Sequence, residues 1–315
     1  MAAGLTIAIG SDLRVGRLGL GTMSLTGPGT WGPPADPAAA RALLARAREL
    51  GVELFDTADS YGPDVAETLL AETFGPRYDG VTVATKAGLT RMGPGRWDRD
   101  GRPEHLRSAC EGSLRRLGVE RIDLFQLHAV DPAVPLEESL GALEELRAEG
   151  KIRHIGVCNV DLPQLEAALA CAPVVSVQNR YSLAERAADD VLAACERHGL
   201  ALIAWAPLAK GALARTGGKL RQVAEAKSVS VGEIALAWLV HRSPVIVPIP
   251  GTSSLDHLAQ NVGAARVELT EHDVEELEGQ LLLGYAARRL RRRARMRAGS
   301  LRRSLRGDRG RTAAR

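Results

Sequence analysis

The sequence predicts an α/β fold, a (β/α)8 TIM barrel, on two observations. Eight short β-rich runs are each followed by a stretch of helical period. The eight units span roughly 265 residues, the count and length of such a barrel. The runs are also almost continuously apolar, as suits parallel strands buried on both faces.

In order, the strand candidates are RLGLGT (17–22), VELFDT (52–57), VTVATK (81–86), IDLFQLH (122–128), IRHIGVC (152–158), VVSVQN (174–179), ALIAWA (201–206) and PVIVPIP (244–250). Helices are expected to start near Pro37, Asp64, Pro103, Leu136, Asp161, Ala187, Leu220 and Ser254. Pro103 suits a first helical turn and Asp161 a cap. Glycines in ARELGVEL, RRLGVERIDL and RAEGKIRHIG mark helix ends. Additional helices are expected over Val231–His241 and from Thr270 to about Leu282. The leading LTIAIGSDLRVGRL, with two apolar runs around GSD, reads as an N-terminal β-hairpin closing the barrel bottom. A doubly wound sheet would want a phosphate fingerprint after its first strand; GLGTMS lacks the third glycine.

Apolar residues make up 45% of the 315, ample for one large core. No apolar run approaches the ~18 residues that span a bilayer, and MAAGLTIAIGSDLR has no basic leader. A cytoplasmic location and no membrane contact are therefore expected. Cys110, Cys158, Cys171 and Cys195 form no C-x-x-C pair and read as reduced core residues. No histidine pair has metal-binding spacing, so no metal is expected.

The net charge of +3 hides an asymmetry. From Tyr285 onward there are thirteen arginines and one aspartate, so this segment carries +12 and the remainder −9. Residues 1–284 are read as the barrel and 285–315 as an Arg-rich, low-complexity, disordered tail. The tail lacks the interleaved aromatics that stack on bases, so nucleic-acid contact is not expected of it.

Barrels of this kind carry functional residues at the carboxyl ends of their strands. Here those ends read Thr22, Asp56, Lys86, His128, Asn159, Gln178, Trp205 and Gly251. Asp56 and Lys86 end neighbouring strands and alone would make a structural ion pair. Tyr61, five residues past Asp56, and His128 change that reading. A buried ammonium beside a phenol favours phenolate and should lower the tyrosine pKa. The aspartate would orient the lysine, and the histidine would donate to a carbonyl oxygen. Together they make a general acid/base with a polarising neighbour.

The segments LFDTADSYG, VATKAG and IDLFQLH resemble the catalytic segments of the aldo-keto reductases. IRHIGVCN, VQNRYSL, AWAPLAKG and IPGTSSLDHLAQN resemble that family's cofactor segments, in the same order, from about Arg17 to about Gly279. The resemblance implies an NAD(P)H-dependent oxidoreductase in which Tyr61 is the proton donor, Lys86 lowers its pKa, Asp56 supports Lys86 and His128 orients the carbonyl. It implies NADPH bound across the barrel mouth, near Gly21 and Thr22. Asn159 and Gln178 would hold the carboxamide, Trp205 the nicotinamide ring, and Ala206, Pro207 and Leu208 the pyrophosphate. Gly251, Thr252, Ser253 and His257 would face the 2′-phosphate, and Gln260 and Asn261 the adenine. Many members have Lys or Arg in this last segment; its absence here leaves NADH possible.

Two loops, LTGPGTWGPP (25–34) after the first strand and GLTRMGPGRWDRDGRP (88–103) after the third, bring Trp31 and Trp97, which could wall a substrate pocket. TGPGTWGPP with GTSSLDHLAQN resembles the bacterial pyridoxal reductase (pyridoxine 4-dehydrogenase) subgroup, which implies reduction of pyridoxal to pyridoxine. A sugar or natural-product carbonyl as substrate, or a redox-sensing subunit with little turnover, remain open alternatives.

Overall fold

The computed structural model describes residues 6–215 and 217–279. The expected disordered tail lies outside the described residues.

The strands are β1 (Thr6–Ile9), β2 (Leu13–Gly16), β3 (Leu20–Gly21), β4 (Leu54–Asp56), β5 (Thr82–Ala87), β6 (Leu89–Gly93), β7 (Arg96–Arg99), β8 (Ile122–Leu127), β9 (Ile152–Cys158), β10 (Val174–Arg180), β11 (Ala201–Trp205) and β12 (Ile246–Pro248). Among them run the helices α1 (Pro37–Glu49), α2 (Val65–Phe74), α3 (Pro103–Leu117), α4 (Leu136–Ala148), α5 (Leu162–Cys171), α6 (Asp189–His198), α7 (Lys219–Lys227), α8 (Val231–Arg242) and α9 (Leu255–Gly263). Eight parallel strands lie side by side in the order β12-β11-β10-β9-β8-β5-β4-β3. Gly19 N donates to Pro248 O at 3.0 Å and Gly21 N to Pro250 O at 3.3 Å, joining the first and last strands and closing the barrel. Gly19 must be glycine there, because a Cβ would sit 2.9 Å from Leu54 O.

Local chemistry sets the helix boundaries. Asp36 accepts from Ala39 N ahead of Pro37, and Asp161 with Gln164 forms a reciprocal cap on α5. Gly118 and Gly199 end α3 and α6 with φ of 69° and 67°, backbone that favours glycine.

The β1–β2 hairpin plugs the barrel floor. Its Ile7, Ile9, Leu13 and Val15 pack in one buried cluster with the strand residues Leu54, Ala84, Leu124, Ile203 and Val247. Asp12, at the hairpin turn, accepts from Arg153 Nη2 at 2.6 Å and lies 2.7 Å from His154 Nε2, tying the plug to β9.

The chain divides into one unit ending at Leu269 and another beginning at Thr270, in which residues 271–279 are helical. Two observations depart from expectation. The segment after β5, read as a loop, contains the antiparallel β6–β7 hairpin turning at Pro94–Gly95. Cys171 is exposed rather than in the core, because it closes the amphipathic α5; Cys110, Cys158 and Cys195 are buried.

Candidate active site

A buried polar layer crosses the barrel just beneath its carboxyl-end mouth. Asp56 ends β4, and Lys86 stands one residue before the end of β5. Their ion pair is 2.7 Å long, with the side chains 2% and 0% exposed. Gln178 Nε2 on β10 donates to the other carboxylate oxygen at 2.7 Å and reaches Gln126 Oε1 on β8 at 3.4 Å. Cys158 Sγ, on β9, lies 3.6 Å from the same Gln126 oxygen. Burying this ion pair is tolerable because each charge has several partners. Lys86 Nζ donates to Asp56 Oδ1 at 2.7 Å, Thr57 O at 2.7 Å and Tyr61 Oη at 3.3 Å. An ammonium has three protons, so all are committed, and the phenol oxygen accepts. Its own O–H is left for another acceptor.

The turn carrying Tyr61 is stitched to the strand carrying Lys86. Thr57 N donates to Ala84 O at 2.8 Å and Asp59 N to Lys86 O at 3.3 Å. Gly62, at φ +111°, lets the chain swing into α2 while Tyr61 packs on Ala58 and Ala66. His128 follows β8, its ring centroid 5.9 Å from that of Tyr61 and edge-on to it. Trp97 of β7 completes a triangle, 6.5 Å from Tyr61 and 6.3 Å from His128.

The electrostatics correct one expectation. Burial outweighs the opposing Lys86 charge and pushes the Tyr61 phenol up to about 12. The expected lowering fails chiefly because the phenol is buried, and further because Asp56 sits on Lys86 and offsets part of its charge. Burial is the largest single influence on Lys86 and works against its ammonium, but Asp56, Tyr61 and Cys158 together outweigh it and keep the group charged. His128 is held well below the usual imidazole range by burial and by Lys86. The ring is therefore neutral near pH 7. Ser60 Oγ lies 3.4 Å from His128 Nδ1; if that hydroxyl donates, the remaining ring proton sits on Nε2.

Asp59, two residues before Tyr61, is also strongly perturbed. Its Oδ1 is shut from solvent without a partner. Desolvation and the nearby Glu67 carboxylate raise its pKa to about 8, against the opposing Arg116 charge. The unfolded chain loses this proton near pH ~4, so the folded state binds more protons across that interval and stability falls as pH rises. Asp59→Asn is therefore expected to raise the melting temperature more at pH 8 than at pH 5. An equal gain at both, measured by calorimetry, would remove the carboxyl as its source.

The polar layer opens into a cavity of about 950 Å³ along the mouth. Asp56, Tyr61, His128 and Trp97 line its inner end, with Asn159 and Gln178. Trp205, Ala206, Pro207 and Leu208 line one flank. Gly21 of β3, Gly251 and Thr252 just before α9, and His257, Gln260 and Asn261 of α9 line it as well. Asn159, at φ 57°, donates to His128 O at 2.9 Å and accepts from Trp205 Nε1 at 3.1 Å, bracing the indole.

Four expected residues are not on this wall. Lys86 lies beneath it. The Thr22 hydroxyl donates to Asp56 O at 3.0 Å, bracing β4 instead of facing the cavity. Ser253 falls outside the lining, and Trp31 is exposed, bridged to Gly62. Two cations that sequence reasoning missed, Lys210 and Arg215, do line it. They follow β11 on a stretch with no helical or strand period, so pattern alone did not place them. Among the described residues no cluster of metal-ligating side chains occurs and no helix is long and apolar enough to cross a membrane.

Residues 17–281 match the model of the aldo/keto reductase family. An uncharacterized oxidoreductase of Schizosaccharomyces pombe is 45% identical over 273 residues, 87% of this chain and 89% of that protein. Pyridoxine 4-dehydrogenase of Escherichia coli is 38% identical over 280 residues, covering 87% and 97% respectively. The solved aldo-keto reductase of Klebsiella pneumoniae in complex with NADPH superposes with a TM-score of 0.75 at 29% identity, covering 88% of this chain and 94% of that one. A closed eight-stranded barrel, an acidic-basic-phenolic cluster at its mouth and these likenesses agree: the chain belongs to the aldo/keto reductase family and is an NAD(P)H-dependent oxidoreductase.

Proposed function

We propose that the protein reduces an aldehyde or ketone to the alcohol with NADPH, that Tyr61 supplies the proton, and that pyridoxal is its carbonyl. The observation that carries the acid assignment is the Lys86 Nζ–Tyr61 Oη contact of 3.3 Å at the cavity's inner end.

The cavity wall fits NADPH chemically. It offers an indole face at Trp205, side-chain amides at Asn159, Gln178, Gln260 and Asn261, a helix N-terminus at α9, and the cations Lys210 and Arg215. An amide set suits a carboxamide or adenine. A helix N-terminus and cations suit phosphates. When bound, NADPH supplies the hydride.

The residues do the rest. Neutral His128 would donate from Nε2 to the carbonyl oxygen, holding it near Tyr61. As negative charge grows on that oxygen, Tyr61 would give up its proton. Lys86, already donating to the phenol oxygen, stabilises the phenolate left behind. A phenol that is protonated near pH 7 suits the reductive direction, which needs the acid loaded. Burial of the layer strengthens these interactions relative to water.

Lys210 and Arg215 supply the positive charge that the GTSSLDH segment lacks. Lys210→Ala is expected to raise KM for NADPH about tenfold and KM for NADH by less than about threefold. Equal shifts for the two nucleotides would detach Lys210 from the 2′-phosphate.

Pyridoxal is supported by the 38% identity to the Escherichia coli pyridoxine 4-dehydrogenase and by Trp97 on the cavity wall, which suits a flat ring. The test is NADPH oxidation with pyridoxal beside a panel of aliphatic, sugar and other aromatic aldehydes. Preference for pyridoxal supports the full reading. Turnover of another aldehyde with pyridoxal inert removes the substrate and keeps the reductase.

A further inference from the structure

Arg91, on β6, makes contacts that neither catalysis nor cofactor binding has yet used. Its Nη2 donates to Gly29 O at 2.7 Å and to Gly93 O at 3.3 Å, and its Nη1 donates to Ser60 O at 3.1 Å. The guanidinium carbon lies 3.7 Å from the centroid of the Trp97 ring and 5.8 Å from that of Trp31. One planar group thus touches three segments distant in sequence. Gly29 belongs to the loop between β3 and α1, Gly93 and Trp97 to the β6–β7 hairpin, and Ser60 to the turn that presents Tyr61.

These segments meet closely. Gly95 N donates to Gly29 O at 2.9 Å, so that carbonyl takes two donors, one from the backbone and one from Arg91. Gly29 has φ +70°, and a Cβ there would lie 3.0 Å from Gly95 N and 3.1 Å from Pro94 Cβ. Gly29, Gly95 and Trp97 all line the cavity. Long exposed loops are mobile unless cross-tied, and the partners of Arg91 here are backbone carbonyls with fixed directions. A guanidinium fork can meet several such acceptors in one plane while stacking on an indole; a lysine ammonium cannot do both.

We propose that Arg91 is a positioning and specificity-determining residue, which clasps the β3–α1 loop and the β6–β7 hairpin into one wall and ties that wall to the Tyr61 turn. Trp97 is then held as a fixed plate beside Tyr61 and His128, and flat ring aldehydes gain more from it than small aliphatic ones. The substrate part of this inference rests on the reductase reading above.

Arg91→Lys and Arg91→Met, each as the full chain, test it. Both are expected to lower kcat/KM for ring aldehydes about 10-fold or more, the scale of a displaced substrate. Loss for a small aliphatic aldehyde should stay within about threefold, and NADPH affinity, read by protein fluorescence, should stay within about twofold. Arg91→Lys should behave like Arg91→Met, because the fork rather than the charge is the proposed cause. Trp97→Leu should abolish the ring preference, and adding Arg91→Met to it should lower that preference no further. Limited proteolysis of the NADPH-loaded protein should cut faster within 22–36 or 88–102 in both variants. Retained ring selectivity in Arg91→Lys, or losses equal for ring and aliphatic substrates, would overturn the specificity role. Unchanged cleavage would overturn the clasp. If the parent protein turns over no carbonyl, the reductase reading and the specificity role fall with it, while faster cleavage in the variants still upholds the clasp.

Discussion

Tyr61→Phe is expected to cut kcat at least about 100-fold, or ~2.7 kcal/mol of transition-state stabilisation, with NADPH affinity nearly unchanged. The substitution keeps the ring, so its contacts with Ala58, Ala66 and Trp97 survive. Only the hydroxyl is lost, and with it one of three acceptors of Lys86 Nζ. Because burial holds the phenol pKa at about 12, loss of the Tyr61 proton should not limit kcat for reduction between pH 6 and 9. A Phe variant that kept more than about a tenth of kcat would be short by only ~1.4 kcal/mol, too little for a group that supplies the reacting proton.

Lys86→Met is expected to be damaging twice over. Asp56 would keep a hydrogen bond from Gln178 but lose its only ion-pair partner among the described residues, at a site 2% exposed. Breaking a buried pair by removing one partner costs about 3–5 kcal/mol, readable as a lowered urea midpoint. kcat should also fall by at least about 100-fold, since the phenolate loses its counter-charge. The double variant Asp56→Asn with Lys86→Met separates the effects. Removing both charges should restore much of the stability and none of the turnover. Recovery of activity in the double variant would mean that Lys86 acts only by keeping Asp56 paired. Failure to recover stability would point to lost packing of the lysine stem.

The strand ends were legible because buried parallel strands are apolar runs, and a polar residue that terminates one stands out. Asp56, Lys86, His128 and Gln178 were found in this way. Gln126 was not. It lies inside an apolar run, IDLFQLH, where period-2 reasoning could have flagged it as facing the barrel axis. The direction of the Tyr61 shift was misread for a physical reason: spacing shows that a cation is near, but not that burial and a carboxylate at 2.7 Å from that cation cancel its influence. The β6–β7 hairpin was missed because its strands carry charged and exposed residues and no apolar alternation, although MGPGRW contains a turn. Arg91 followed from that miss. An arginine in a loop reads as solvated until a hairpin turns it toward Gly29 and Ser60. Lys210 and Arg215 reach the cavity through backbone turns, including φ 49° at Ala206 and 56° at Lys210, that non-glycine residues rarely adopt; composition gives no sign of these.

The close approach of Gly29 to Pro94 and Gly95 bears on how this barrel could be re-tailored. Its rim beside Trp97 includes two segments that fit each other, with no room for a side chain at Gly29. A graft that exchanged either segment alone would leave a mismatched partner, however faithfully the donor sequence was copied. The two would have to be transplanted as a set, the β6–β7 hairpin carrying with it the arginine that joins them. The hydrophobic plug at the opposite end, anchored through Asp12 to Arg153 and His154, could stay untouched as the chassis.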